Sequence, residues 1–182
     1  MTRRFLAMAM FAATLAVAAP VGAINAPMAI TGPSPAGSLR AAVRVHPPAP
    51  PPQPAASQVE QVASLVNAER ARAGLAPLQI DARLMLAAQR HSEDQAAMGR
   101  MSHFGSDGST VAIRLDRVGY AYRGWAENVA YGQPDAATVV TAWMNSPGHR
   151  DNNLGPNTQL GVGLAYSASG TPYWTMVFGT PR

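Results

Sequence analysis

Two histidines stand in loop-like stretches, His103 in "MSHFG" and His149 in "SPGHR", and one acid, Glu127 in "GWAENVAYG", sits among apolar neighbours. A carboxylate inside a short apolar segment is costly to bury without a partner. Glu127 is therefore expected to have one, and an imidazole is a suitable one. All three residues lie at the ends of regular segments, where sites are usually built. Two imidazoles and a carboxylate can hold a divalent cation such as Zn²⁺ with one position open. The same three groups can also act as a metal-free acid–base site. Spacing does not choose between these chemistries. The chain has no HExxH, which would put two ligands on one helical face, and no GxSxG nucleophile elbow. "GSDGS" contains Asp107 but lacks the run of oxygen ligands of an EF-hand loop. Of the other two histidines, His46 lies in a proline-rich stretch and His91 on the apolar side of a helical segment, where it reads as a packing residue.

The elements that must position these groups follow from periodicity. "SQVEQVASLVNAERARAGLAPL" opens with Ser57 and Glu60 in capping-box spacing. Val62, Leu65 and Val66 then recur at helical intervals, and Gly74 and Pro77 end the helix. Asp81 reads as the N-cap of a second helix over "DARLMLAAQRHSEDQAAMGRM". "SHFGSDGST" is a loop by its turn residues. "TVAIRLDRVGY" makes a short third helix closed by Gly119, and "AENVAYG" a short strand or extended turn. A fourth helix covers "PDAATVVTAWMNS", with Pro134 in an early position. The spacing then predicts a rigid corner at Pro147-Gly148 that ends this helix and holds His149 out, with Arg150 and Asp151 as loop anchors. "QLGVGLAYS" and "TPYWTMVFG" read as a hairpin joined by "ASGTP". Helices first and strands afterwards predict an α+β domain with an antiparallel sheet covered by helices. Trp125, Trp143 and Trp174 read as core.

The chain has 182 residues, 47% of them hydrophobic, enough for one domain with extensions. Residues 1–23 have an Arg pair, an apolar run and small residues near Ala23, the layout of a cleaved export signal. The apolar run is shorter than the ~20 residues a spanning helix needs, so no transmembrane segment is expected in the mature chain. Residues 24–56 are rich in Pro and Ala and read as a spacer or disordered tail. The domain proper is expected over 57–182. The chain has no cysteine, so neither disulfides, nor thiolate ligands, nor a lipobox anchor are available. The formal net charge is +4, but Arg3, Arg4, Arg40 and Arg44 lie before residue 57 and every acid lies after it. The domain is therefore near neutral, and nucleic acid is not an expected partner.

Taken in order, "LVNAERARAGLAPL", "AAQRHSEDQAAMGRMSHFGSDGS", "AENVAYG", "AWMNSPGHRDNNL" and "GVGLAYSASGTPYWTMVFG" resemble the bacterial branch of the CAP superfamily. That superfamily groups cysteine-rich secretory proteins, antigen-five allergens and plant pathogenesis-related proteins. The resemblance covers residues 57–182. It implies an α-β-α sandwich with a central cleft and a secreted or periplasmic location. In many eukaryotic members the cleft carries two histidines and two acids, often with a divalent metal. By that resemblance His103 matches the first histidine and Glu127 the acid of a "GEN" motif. Ser146 stands where the second acid would be and Tyr173 where the second histidine would be, while His149 is the bacterial-type histidine. Ser102, Asn128 and Tyr173 are expected to neighbour His103, Glu127 and His149 in the cleft.

Three functions are compatible with this reading. One is an exported binding module for a small ligand, peptide, lipid or cell-envelope component. Another is a hydrolase, such as a metal-assisted protease, with Glu127 as base and the histidines as ligands or acid. The third is a structural envelope protein.

Overall fold

The computed structural model describes residues 54–182. The expected leader and nearly all of the spacer lie outside the described residues. Helix α1 spans Ala55–Arg72, strand β1 Gln79–Ile80 and helix α2 Ala82–Met98. Helix α3 spans Val111–Arg117, strand β2 Tyr122–Tyr131, helix α4 Ala136–Met144 and helix α5 Pro147–Asn153. Strands β3, Gln159–Tyr166, and β4, Pro172–Pro181, complete the order.

The four strands form one sheet in the order β1-β3-β4-β2, with helices on both faces. This is the α-β-α sandwich. Strand alternation assigns the faces. Leu160, Val162 and Leu164 of β3 and Trp174, Met176 and Phe178 of β4 pack with α1 and α4, around Val62, Val66, Val139 and Trp143. The opposite face meets α2 and α3 through Leu84, Ala87, Ala88 and Leu115. In "LGVGL" the residues between the apolar ones are Gly161 and Gly163. A Cβ on Gly161 would stand 2.1 Å from the Leu84 carbonyl carbon, and one on Gly163 2.4 Å from that of Ala88. The two glycines thus let the α2 backbone rest directly on β3.

Several expectations are corrected. The sheet is not wholly antiparallel, because the two-residue strand β1 pairs in parallel with β3. Ser57 caps no helix: α1 begins at Ala55 after Pro54, and the Ser57 hydroxyl donates to the Pro54 carbonyl at 2.8 Å. Residues 55 and 56 therefore belong to the helix rather than the spacer. Pro134 precedes the N-cap of α4, which is Asp135, accepting from Thr138 N at 2.7 Å. Pro147-Gly148 is not a corner but the first turn of α5. Proline suits that position because its missing N–H would have no helical partner there. Other readings agree with the structure. Asp81 caps α2, Gly119 closes α3 at φ 68°, and β3 and β4 form a hairpin. Trp143 and Trp174 are core, whereas Trp125 is exposed.

Candidate functional site

Strand β2 lies at the edge of the sheet, and its successive residues Glu127 and Asn128 reach opposite faces. Glu127 turns toward α2 and α3. Its Oε1 lies 2.9 Å from His103 Nδ1, and its Oε2 accepts from Arg114 Nη2 at 2.6 Å. The Glu127 side chain is 1% exposed and that of Arg114 8%, so this is an ion pair withdrawn from water. His91 Nε2 stands 4.0 Å from the same Oε1. With a carboxylate as acceptor, His103 Nδ1 is the donor, and its Nε2 has no hydrogen-bond partner among the described residues. The His103 side chain is 54% exposed, so that ring is within reach of a ligand.

The loop that carries His103 is pinned from below. Gly99 ends α2 in the left-handed conformation at φ 61°, and the chain then passes over the buried polar residues of that helix. Ser102 N donates to Gln95 Oε1 at 3.1 Å, and His91 Nε2 donates to the Ser102 carbonyl at 2.8 Å. Gln95 and Ser92 in turn both donate to Thr175 Oγ1 of β4. Arg114 adds bonds from Nη1 to the carbonyls of His103 and Ser109, at 3.2 and 3.0 Å. Burial lowers the pKa of His91, which keeps it a neutral imidazole near pH 7.

Asn128 serves the other face. Its amide donates to the His149 carbonyl at 3.0 Å and to Asn153 Oδ1 at 2.9 Å, and its Oδ1 accepts from Asn152 Nδ2 at 2.8 Å. Asn152 also donates to the Glu127 carbonyl. Three asparagines thus fasten α5, and with it His149, to the edge strand. His149 is half-buried, and its pKa is lowered by burial and further by the nearby His103. It lines a cavity of about 250 Å³ with Met101, Val129, Tyr131, Gln133 and Trp143. Gln133 Oε1 is buried with no hydrogen-bond partner among the described residues.

The structure therefore brings His103 and Glu127 into contact and sets His149 near His103 from the other layer. Ser102 and Asn128 do neighbour the site, although the Ser102 hydroxyl is already engaged, accepting from Phe104 N. Tyr173 does not join this network: it is buried and stacks on Tyr131, with centroids 5.9 Å apart. Arg150 and Asp151, expected as loop anchors, are exposed, and the anchors are Asn152 and Asn153 instead. The sequence reading missed Arg114, a buried arginine of the seven-residue helix α3 with no motif around it. It also missed Gln133, for which the sequence carries no signal.

The expected Zn²⁺ or other divalent set of His103, Glu127 and His149 does not fit. Among the described residues no three histidine, acid or cysteine side chains form a metal-holding group. The reason lies in Glu127. A dication at its carboxylate would face the Arg114 guanidinium already bonded there, and the repulsion would be little screened at a buried site. Arg114 supplies the positive charge that a metal would otherwise bring.

Residues 63–178 match the CAP family, described as the cysteine-rich secretory protein family. The uncharacterized protein YkwD of Bacillus subtilis (strain 168) is 40% identical over 120 residues, 65% of this chain and 46% of that protein. Among solved structures, an extracellular protein containing a SCP domain from Bacillus anthracis str. Ames superposes with a TM-score of 0.65 at 28% identity. That match covers 72% of this chain and 45% of the other. A cysteine-rich secretory protein from Staphylococcus aureus subsp. aureus Mu50 gives 0.59 at 25% identity, covering 71% and 40%. The chain thus spans less than half the length of these relatives. No helix among the described residues is long and apolar enough to cross a membrane.

Proposed function

The chain belongs to the CAP, or cysteine-rich secretory protein, family, and from that premise we propose that it is an exported binding module whose His103–Glu127–His149 cleft takes a small ligand, peptide, lipid or cell-envelope component without turnover. One observation carries the reading: both oxygens of Glu127 are spent, one on Arg114 and one on His103. A carboxylate held this way orients an imidazole and is not a base toward substrate. Among the described residues His103 bonds no serine or threonine hydroxyl that it could activate. Nε2 of His103 and the half-buried ring of His149 are then recognition groups at an edge between two layers. The extracellular B. anthracis neighbour supports export, and the signal-like residues 1–23 support it independently.

A hydrolase reading keeps one supporting feature, the carboxylate-backed His103, which could deprotonate a water through Nε2 with no metal. Incubation of the isotope-labelled protein with a library of acetylated tetrapeptides separates the two. The binding reading expects saturable amide shifts around His103, Gln133 and His149, intact peptides by mass spectrometry, and at least tenfold weaker binding by His103→Ala. Cleavage that disappears in His103→Ala would establish the hydrolase instead. Peptide shifts that ignore His103→Ala would place recognition elsewhere.

A further inference from the structure

Strand β2 has a strand neighbour on one side only, β4, so its other edge is free of strands among the described residues. The register shows which backbone groups face that edge. Hydrogen-bonded and non-hydrogen-bonded pairs alternate along an antiparallel ladder. Gly132 N donates to the Pro172 carbonyl at 2.8 Å, so the adjacent pair, Tyr131 with Tyr173, is not hydrogen-bonded. The N–H and C=O of Tyr131 therefore point off the sheet, and by the same alternation so do those of Val129 and Glu127. Side chains agree with this parity. Asn152 Nδ2 donates to the Glu127 carbonyl at 3.2 Å, and Trp143 Nε1 to the Val129 carbonyl at 3.4 Å. Helices α4 and α5 thus occupy the edge carbonyls at Glu127 and Val129. At Tyr131 no group among the described residues does the same, and that residue is 52% exposed.

This open end of the edge borders the cavity of about 250 Å³ that His149 lines. Val129 and Tyr131 line it from β2, Ala142 and Trp143 from α4, and Met101 from the loop after α2. The Trp143–Val129 bond joins two of these residues across the strand edge. None of the lining residues is an acid, an arginine or a lysine, and most are aliphatic or aromatic. Met101 and Tyr131 are exposed, so the cavity can be entered from solvent. A cavity of about 150 Å³ takes a benzene ring, so this one has room for one phenyl or branched aliphatic side chain. A hydrocarbon chain would suit the wall but would leave the donor and acceptor of Tyr131 unused. A peptide uses both kinds of surface: its backbone offers an acceptor and a donor in strand spacing, and an alternate side chain fills the pocket.

On the binding reading above, we propose that the ligand is an extended peptide, which pairs with the N–H and C=O of Tyr131 at the free edge of β2 and sets one apolar side chain into the cavity between Met101, Trp143 and His149.

The test is a titration of the isotope-labelled full chain with end-blocked alanine pentapeptides whose central residue is phenylalanine, leucine, alanine or aspartate, with decanoate as a lipid-like comparator. Saturable amide shifts over residues 129–133 and 142–149 are expected with the phenylalanine or leucine peptide, and at least tenfold weaker binding with the other two. Successive amides of an extended chain point to opposite sides. Methylating one of the two amides that flank the central residue should therefore weaken binding at least tenfold, and methylating the other should not. Ala142→Phe, at an exposed position of α4, fills the cavity and should also weaken binding at least tenfold. Tyr131→Pro removes the edge donor without breaking the ladder to β4. It should bind at least tenfold more weakly than Tyr131→Ala, which keeps that N–H. Should Tyr131→Pro fail to fold by circular dichroism, the methylated pair decides. No saturable response to either apolar peptide, saturation by decanoate alone, or equal tolerance of both methylations would overturn the assignment. Cleavage of a peptide that obeys the methylation and Ala142→Phe tests would overturn the reading without turnover and keep this peptide site. Binding without cleavage that ignores both tests would overturn this site and keep that reading.

Discussion

Arg114 Nη2 lies 2.6 Å from Glu127 Oε2, and the two side chains are buried together between α3 and the edge strand β2. Breaking such a pair leaves one charge in the interior without its partner, which costs about 3–5 kcal/mol. Replacing both by apolar residues is often near neutral. Arg114→Met should therefore lower unfolding stability in urea by about that amount. Arg114→Met with Glu127→Leu should recover much of the loss, short of the bonds Arg114 makes to His103 and Ser109. A single variant costing under about 1 kcal/mol would mean that the pair is open to water.

The same pair predicts metal behaviour. The parent chain should bind no Zn²⁺ through Glu127, so Glu127→Gln should leave its calorimetric titration unchanged. Arg114→Gln frees the Glu127 carboxylate beside His103 and His91. It should gain Zn²⁺ affinity by a factor of ten or more, and His103→Ala in that background should remove the gain. One-to-one Zn²⁺ binding by the parent that is lost in Glu127→Gln would contradict the fit drawn above.

Acid should loosen the domain through its histidines. His91 and His149 both have pKa values held below the ordinary 6.5, chiefly by burial. The unfolded chain then takes up protons before the folded one does. Their stabilisation is complete above pH 6.5 and is lost as pH falls below that value toward the lowered folded pKa. Urea midpoints should decline on acidification, and the decline should be shallower in His149→Gln. Identical slopes in parent and variant would show that the His149 ring is not desolvated.

Asn128 should matter for His149 without touching its ring. Its side chain holds the His149 carbonyl, Asn153 and Asn152 at 2.8–3.0 Å. Asn128→Leu leaves buried partners unsatisfied, at about 1–3 kcal/mol each before relaxation. It should also release α5, so that the His149 pKa rises toward its ordinary value in an NMR titration. A destabilised variant with an unmoved His149 pKa would mean that α4 and the neighbouring loops hold α5 by themselves.

Much of this protein could be read along the chain because much of it is local. Asp81 and Gly119 mark helix ends through bonds and backbone angles reaching only a few residues. The hairpin of β3 and β4 follows from two alternating runs and a short turn. Local signals misled where a residue's role depends on its wider setting. Ser57 has the spacing of a cap, yet the chain turns helical two residues earlier. Pro147-Gly148 has the composition of a turn, yet proline equally opens a helix.

At the site, residue types were enough to single out Glu127 as an acid needing a partner, since burying charge is costly wherever it occurs, and His103 and His149 as imidazoles in stretches read as loops. They could not say which cation would meet Glu127. Arg114 is 13 residues away in sequence, and its guanidinium reaches Oε2 only because α3 packs beside the edge of the sheet. That contact argues against a cation at Glu127 and leaves His103 oriented by the carboxylate. Likewise "EN" in "AENVAYG" shows only two polar neighbours on a strand. The alternation of a strand sends one to each layer, but what each meets there depends on helices brought close by folding, because Coulomb and hydrogen-bond energies act over ångströms of space and not over positions in a chain.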